Sequence, residues 1–302
     1  MSIQVTTHSI YALPEPRHMF RDDGDNWFLR RLREDIKEGD PPTIIIGGKK
    51  RRGKSFLSIK ICEAIVSLCH EMKFAYRDQG MPTEKHYDLR NARFDPSWQV
   101  LYSLRVIPRL LQPPPPLGRG LNYGSPIISD ESSINLSVLS FNNPTVKQIA
   151  GIHDSCAIRQ IPWLLNVPGS VLRVAYQFRE TASYFMQMKA RGVAKVYEAS
   201  PSVTGRVYLK TIGWLGYQNP FTHEVVARIS VPTEENVRVY NAVKDYWLGV
   251  QLKRSEQKML ELSERGFMGA YDEPEDFQKD YADVVKDIMA MAERSRNHKN
   301  VA

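Results

Sequence analysis

Cysteine is scarce: Cys62, Cys69 and Cys156 are the only three in 302 residues. So sparse and odd a set excludes a disulfide scaffold and fits a reducing, cytoplasmic setting. No Cys/His group has metal-ligand spacing, which argues against a zinc centre. Cys62 and Cys69 stand seven apart in a helical pattern and read as small buried apolar side chains. No apolar run approaches the roughly 20 residues that a membrane helix needs, so no membrane segment is expected. The first residues, "MSIQVTTHSI", lack the basic start and apolar core of a secretory leader. Internal repeats are missing as well. A strong charge of one sign is also absent, since 41 Lys+Arg stand against 34 Asp+Glu, leaving +7. That excess suits a polyanionic partner without requiring one.

What is present describes an ordinary globular chain, 42% hydrophobic and 25% charged. Its length can bury a core without staples. Residues 1–22 are polar and aperiodic and read as an arm. "NWFLRRLREDIKEGD" (26–40) has helical apolar spacing. "PTIIIG" is a buried strand by its β-branched run and glycine stop. "KSFLSIKICEAIVSLCHEM" follows as a helix. "DPSWQVLYSLRVIPRLL" is expected to be helical from an Asp95 N-cap with Pro96 at the first position. "QPPPPLGRG" is a stiff connector, because four prolines bring no amide donors. "SPIISDESS" is a second strand, "NPTVKQIAGIHDSCAIRQI" a helix and "PWLLNVPG" a third strand. "SVLRVAYQFRETASYFMQMKARG" is expected to be one long helix, and "VAKVYEASPSVTGRVYLKTIG" two strands. From Pro232 the chain is helical and charge-rich, with Tyr240, Val243 and Trp247 on one face, and "DFQKDYADVVKDIMAMAERSRNHKN" adds a second helix. Strands alternating with helices imply a mostly parallel sheet covered on both faces. The expected organisation is an arm (1–22), an α/β domain (23–231) and a C-terminal helical extension (232–302).

The chemistry concentrates in "GKKRRGKS", Gly48 to Ser55, which fits G-x-x-x-x-G-K-[ST] at every fixed position. It lies between a strand and a helix, where backbone amides and the helix N-terminus can face phosphates. Gly48, Gly53 and the backbone between them would cradle ATP, with Phe56 next on the helix. Lys54 would reach the β and γ phosphates, and Ser55 would ligate Mg²⁺. Lys49, Lys50, Arg51 and Arg52 fill the variable positions, and three roles stay open for them: attraction of the triphosphate, contact with a nucleic acid or neighbour, or a solvated charge run. "PIISDE" puts Asp130 and Glu131 at the C-terminal end of a buried strand, the edge where open α/β sheets bind ligands. Asp130 suits the metal, and Glu131 would activate a water, which favours a hydrolase over a kinase.

With these segments in place, the chain resembles the FtsK–HerA superfamily of ring-forming DNA-pumping ATPases. Its smaller archaeal and viral mobile-element members and the ATPase part of Zot-like phage assembly proteins are the most alike. The likeness covers about residues 40–215 and rests on "GKKRRGKS", "SDES", "IRQ" and "WLLNVP". Ser132 departs from the usual alanine or glycine, and Asn166 from the usual Gln or Thr. The resemblance implies a RecA-like P-loop fold, ATP hydrolysis with Mg²⁺, and a homo-oligomer, a hexameric ring. It also implies sequence-nonspecific handling of DNA in packaging, transfer or processing. Asn166 would sense the γ-phosphate or simply form a turn before Pro168. Arg159, ahead of Arg173 and Arg179, would be the finger delivered to a neighbour's phosphate. Tyr176, Phe178, Tyr184 and Phe185, with Arg173, Arg179, Lys189 and Arg191 interleaved, could stack bases or pack the core, and helical spacing favours packing. Two rival functions stay open, a helicase and an ATP-dependent assembly switch of a virus or secretion complex.

Overall fold

The computed structural model describes residues 27–72, 76–77, 86–87, 89–102, 107–113, 118, 120–130, 144–171, 174–201, 207–219 and 221–264. The arm (1–22), Glu131, Arg173, most of the proline run and the second C-terminal helix expected from the sequence lie outside them.

The chain opens with helix α1 (Trp27–Glu38), whose Phe28, Leu32 and Ile36 recur every fourth residue and are all buried. Strand β1 (Thr43–Gly48) is buried along its whole length. It runs through the loop into α2 (Lys54–Glu71). A small antiparallel pair follows, β2 (Tyr76–Arg77) and β3 (His86–Tyr87). Next come α3 (Pro96–Gln99), β4 (Val100–Leu101), α4 (Ile107–Leu110) and β5 (Ile127–Ser129). Then α5 (Pro144–Ile158), β6 (Trp163–Pro168), α6 (Tyr176–Glu180), β7 (Tyr184–Ala190), β8 (Val193–Pro201) and β9 (Val207–Leu215) complete the central body. A minor pair, β10 (Tyr217–Gln218) and β11 (Val225–Ala227), precedes the last described helix, α7 (Glu234–Glu264).

Seven strands form one sheet in the order β4-β5-β6-β1-β7-β8-β9. β4 through β7 pair in parallel, while β7-β8-β9 is an antiparallel meander. The expected α/β fold with a mostly parallel sheet is therefore present. Side-chain alternation along each strand feeds two separate cores. Ile44, Ile46, Ile128, Leu164 and Met186 join Phe28 of α1 and Ile59 of α2 on one face. Ile45, Ile127, Trp163, Leu165 and Phe185 join Ile149 of α5 and Phe178 of α6 on the other. Because both faces are covered, the central strands read as unbroken apolar runs.

Two expected helices do not form as written. The stretch from Asp95 makes only the single turn α3, where the Asp95 carboxylate accepts Ser97 N–H at 2.9 Å. The chain then turns extended to become the edge strand β4. The stretch from 170 to 192 splits into the short α6 and β7, because Tyr184, Phe185 and Met186 fill both cores from one strand. Phe178, Tyr184 and Phe185 are therefore core residues and offer no face for stacking bases.

Candidate functional site

β1, β6 and β5 run parallel, so their C-terminal ends open on one edge of the sheet. β6 lies between the strand that feeds the loop and the strand that ends in Asp130. At the end of β1 the backbone of Gly48 has φ 151°, and a Cβ there would meet the Cβ of Met188 at 2.7 Å. Gly48 O accepts Gly169 N–H at 2.8 Å, tying the exits of β1 and β6 together. The loop then visits positive φ at Arg51 (63°) and Gly53 (88°) before α2 begins. Gly53 is the N-cap, so no side chain closes the first-turn amides, the arrangement that leaves a helix N-terminus available to an anion. Lys54 folds back along the loop, its ammonium donating to Gly48 O at 3.2 Å and Lys49 O at 3.3 Å.

Asp130 is the centre of the arrangement, 3% exposed. Ser55 Oγ donates to its two carboxylate oxygens at 3.2 and 3.3 Å. Asn166 Nδ2 donates to Oδ1 at 3.0 Å, and Asn166 Oδ1 in turn accepts from Ser58 Oγ at 2.6 Å. Ser58 shares its hydrogen with Lys54 O at 3.1 Å. From α7, Tyr240 OH donates to Asp130 Oδ2 at 2.8 Å. Lys244 Nζ lies 3.0 Å from the Tyr240 hydroxyl and 4.0 Å from Oδ2. Burial, and then the negative charge of Asp130, push the phenols of both Tyr240 and Tyr102 well above the ordinary tyrosine value. Both therefore remain protonated and able to donate. A buried carboxylate is tolerated when it accepts several hydrogen bonds, and this one accepts from Ser55, Asn166 and Tyr240 among the described residues.

Next to this cluster is a cleft of about 760 Å³, within the roughly 300–1,000 Å³ span of small-ligand sites. Among the described residues its wall carries the cations Lys50, Arg51, Lys54, Arg191, Arg228 and Lys244 against one carboxylate, Asp130. The balance selects a polyanion. Phe56 also lines it, edge-on to the Tyr240 ring with centroids 6.4 Å apart.

The structure thus brings Gly53, Lys54, Ser55, Phe56, Asp130 and Asn166 together. Lys50 and Arg51 are exposed on the wall, whereas Lys49 and Arg52 do not line it. Arg159 is elsewhere. It precedes Trp163, which pairs with Thr43 at the start of β1, so it stands at the opposite edge of the sheet from the loop. Its guanidinium donates to the carbonyls of Gln112 and Leu121 and lies 5.7 Å from the centre of the Tyr123 ring. Within the chain it is a strut holding the end of α5 to the preceding loop. Sequence reasoning missed Ser58, Tyr240, Lys244 and Arg228 as site residues. Ser58, one helical turn beyond Ser55, carried a local signal. Tyr240 and Lys244 carried none beyond an i,i+4 spacing that also suits a packed helix.

No family model matches the chain, and no curated protein matches it. Among solved structures it aligns with the genome packaging NTPase B204 from Sulfolobus turreted icosahedral virus 2. The complex with AMP is 12% identical with a TM-score of 0.29, that with ATP-gammaS 11% with 0.29, and that with sulfate 12% with 0.31. Each alignment covers 57% of this chain and 98% of the other. Similarity at this level says nothing of this chain's activity.

Proposed function

We propose that this chain is a Mg²⁺-dependent ATPase that assembles as a ring, a hexamer, and moves DNA without reading its sequence. The observation that carries the ATPase reading is the meeting of Ser55 Oγ with the Asp130 carboxylate at 3.2 Å, across the mouth of a glycine-bounded loop. Two segments 75 residues apart converge there, which a charged turn alone would have no reason to do.

The donor set fits a hard cation: a hydroxyl and a carboxylate side by side, with room in the cleft for phosphate oxygens to complete the shell. When bound, Mg²⁺ would neutralise charge on the β and γ phosphates. Lys54, released from the Gly48 and Lys49 carbonyls, would pair with the same phosphates. Asn166 would hold Asp130 in one orientation, anchored by Ser58. Glu131, next to Asp130 in the chain, would orient the attacking water as general base. Translocation, ring formation and a cytoplasmic setting are supported by the superfamily resemblance, with the net positive charge of +7 consistent with DNA.

The test is nucleotide binding and turnover on purified protein. Lys54→Ala should lose ATP binding, and Glu131→Gln should bind ATP yet fail to hydrolyse it. Near-normal turnover by Glu131→Gln refutes its role, and wild-type protein that binds no ATP refutes the whole reading. DNA should stimulate turnover, and mass measurement with a nonhydrolysable analogue should report the ring. A rate indifferent to DNA would point instead to the assembly switch.

A further inference from the structure

Helix α7 begins beside the cleft and is fixed there. The Glu63 carboxylate of α2 accepts Thr233 N–H, Thr233 Oγ1–H and Asn236 Nδ2–H, each at 2.8 Å. One turn on, Val239, Val243 and Trp247 bury themselves against Tyr102 and Tyr246. This docking sets the rotation of the helix, and it turns Tyr240 and Lys244, four residues apart on one face, toward Asp130. The two side chains differ in what they do there. Tyr240 is buried and fully engaged with the acid. Lys244 keeps 44% of its side chain exposed, with its ammonium on the cleft wall. Its ammonium lies beyond the Tyr240 hydroxyl, 3.0 Å from that oxygen and 5.4 Å from the ring centroid.

We propose that Lys244 is a ligand of the terminal phosphate, a cation that α7 supplies to its own chain's site. The inference rests on the ATP reading above. With Ser55 and Asp130 as the residues that would hold the metal, the terminal phosphate of a bound nucleotide would sit at this end of the cleft. An ammonium at 4.0 Å from the Asp130 carboxylate is within reach of that phosphate's oxygens. Its contact with Asp130 is long and half-exposed, so exchanging it for a doubly charged phosphate costs little and gains a charge-assisted hydrogen bond. Arg228 and Arg191, also on the wall, neighbour Ile229 and Gly192 in the cleft lining, whereas Lys244 is the cation of α7 that reaches the acid. A diphosphate has no group at this position. Lys244 should therefore distinguish ATP from ADP.

The experiment compares the affinities of the full chain for ATPγS and ADP, both with Mg²⁺, by titration calorimetry. Lys244→Met keeps an unbranched apolar stem and removes the ammonium, with its contacts to Tyr240 OH and Asp130. It should weaken ATPγS by about 10- to 100-fold, the span of one lost charge-assisted hydrogen bond, while ADP changes by less than about 3-fold. Lys244→Arg should restore most of the ATPγS affinity. Lys54→Ala, in contrast, should weaken both nucleotides. Equal loss for the two nucleotides, no loss for either, or tighter ATPγS binding by Lys244→Met overturns the proposal while leaving the ATP reading intact. Wild-type protein that binds neither nucleotide overturns both at once, before any variant is made.

Discussion

Replacing Asn166 by Asp changes one atom's chemistry at the most constrained point of the site. The Asn166 amide nitrogen donates to Asp130 Oδ1 at 3.0 Å, and both residues are buried. Aspartate is isosteric, so packing is kept, and Ser58 can still donate to the retained oxygen. The donor, however, becomes a second carboxylate. Two charges about 4 Å apart at an effective dielectric near 20 repel by about 4 kcal/mol. The pair would relieve this by keeping one proton, which raises one folded-state carboxylate above its unfolded value. The folded state then binds more protons than the unfolded chain, so stability must fall as pH rises through that window. Asn166→Ala supplies the reference. It deletes one charge-assisted bond, worth about 2 kcal/mol, and leaves Ser58 its bond to Lys54 O.

Urea unfolding followed by tryptophan fluorescence would measure all three proteins at pH 8 and pH 5. Asn166→Ala should lose about 2 kcal/mol at both values, because it adds no titrating group. Asn166→Asp should lose about 3–4 kcal/mol at pH 8 and recover much of it at pH 5, where the shared proton can again donate across the pair. If Asn166→Asp is as stable as Asn166→Ala at pH 8, or flat between the two pH values, then Asn166 does not face Asp130 as described.

The other perturbations separate backbone, strut and titration. Gly53→Ala meets no atom within 4 Å but keeps φ 88°, so it should cost about 1–2 kcal/mol through strain alone. Gly48→Ala adds overlap with Met188 at 2.7 Å and should cost more; the reverse order in thermal melts would contradict the loop geometry. Arg159→Ala removes the struts to Gln112 and Leu121 and should lower stability by about 1–3 kcal/mol, with turnover per folded molecule unchanged. A loss of turnover at unaltered melting temperature would instead support Arg159 as a finger toward a neighbouring subunit. Asp35, which accepts from Tyr184 OH at 2.7 Å, is pushed up to about 6 by burial. The folded protein therefore holds that proton longer, and the group is least costly below its ordinary 3.8 and most costly above 6. At this half-buried position the difference is about 1 kcal/mol after solvent screening. Asp35→Asn should flatten that fall between pH 4 and pH 6, and an unchanged pH profile would rule it out.

What could be read in the sequence follows from how each element signals itself. β1 announces itself because Ile44, Ile45 and Ile46 are β-branched and end in two glycines. The loop follows from fixed spacing, and β8 and β9 from period-two alternation. β7 gave no such sign. "YFMQMKA" contains no β-branched residue, and no glycine or proline separates it from α6, so a strand buried on both faces looked like the end of a helix. β4 was hidden for a similar reason: two residues are too few to set a period, and the Asp95 cap correctly marked a helix that lasts only one turn. At the site, Lys54, Ser55 and Asp130 were legible because the chemistry demands those types at the ends of strands. The place of Arg159, away from its own chain's loop, was not legible, because its position before β6 says nothing about which edge of the sheet it occupies. The register of Thr43 against Trp163 decides that, and register is a property of the folded sheet.

Asp130 also explains why a helix so late in the chain belongs to the site. A carboxylate buried at the end of a sheet needs several donors, and among the described residues β6 supplies Asn166. Ser55 comes from the loop, and Tyr240 must come from elsewhere, 110 residues on. The phenol is held protonated by the burial that α7 itself produces, so docking of the helix and satisfaction of the acid support each other. Any cation that shares the Asp130 oxygens competes with, or is organised by, that same hydroxyl. Affinity at the acid and the docking of α7 are then linked, and linkage is reciprocal: what the helix adds to binding, binding adds to the helix. Val239, Val243 and Trp247 thereby anchor more than a C-terminal support, since the apolar seam they form sets the position of every polar group that α7 presents to the cleft.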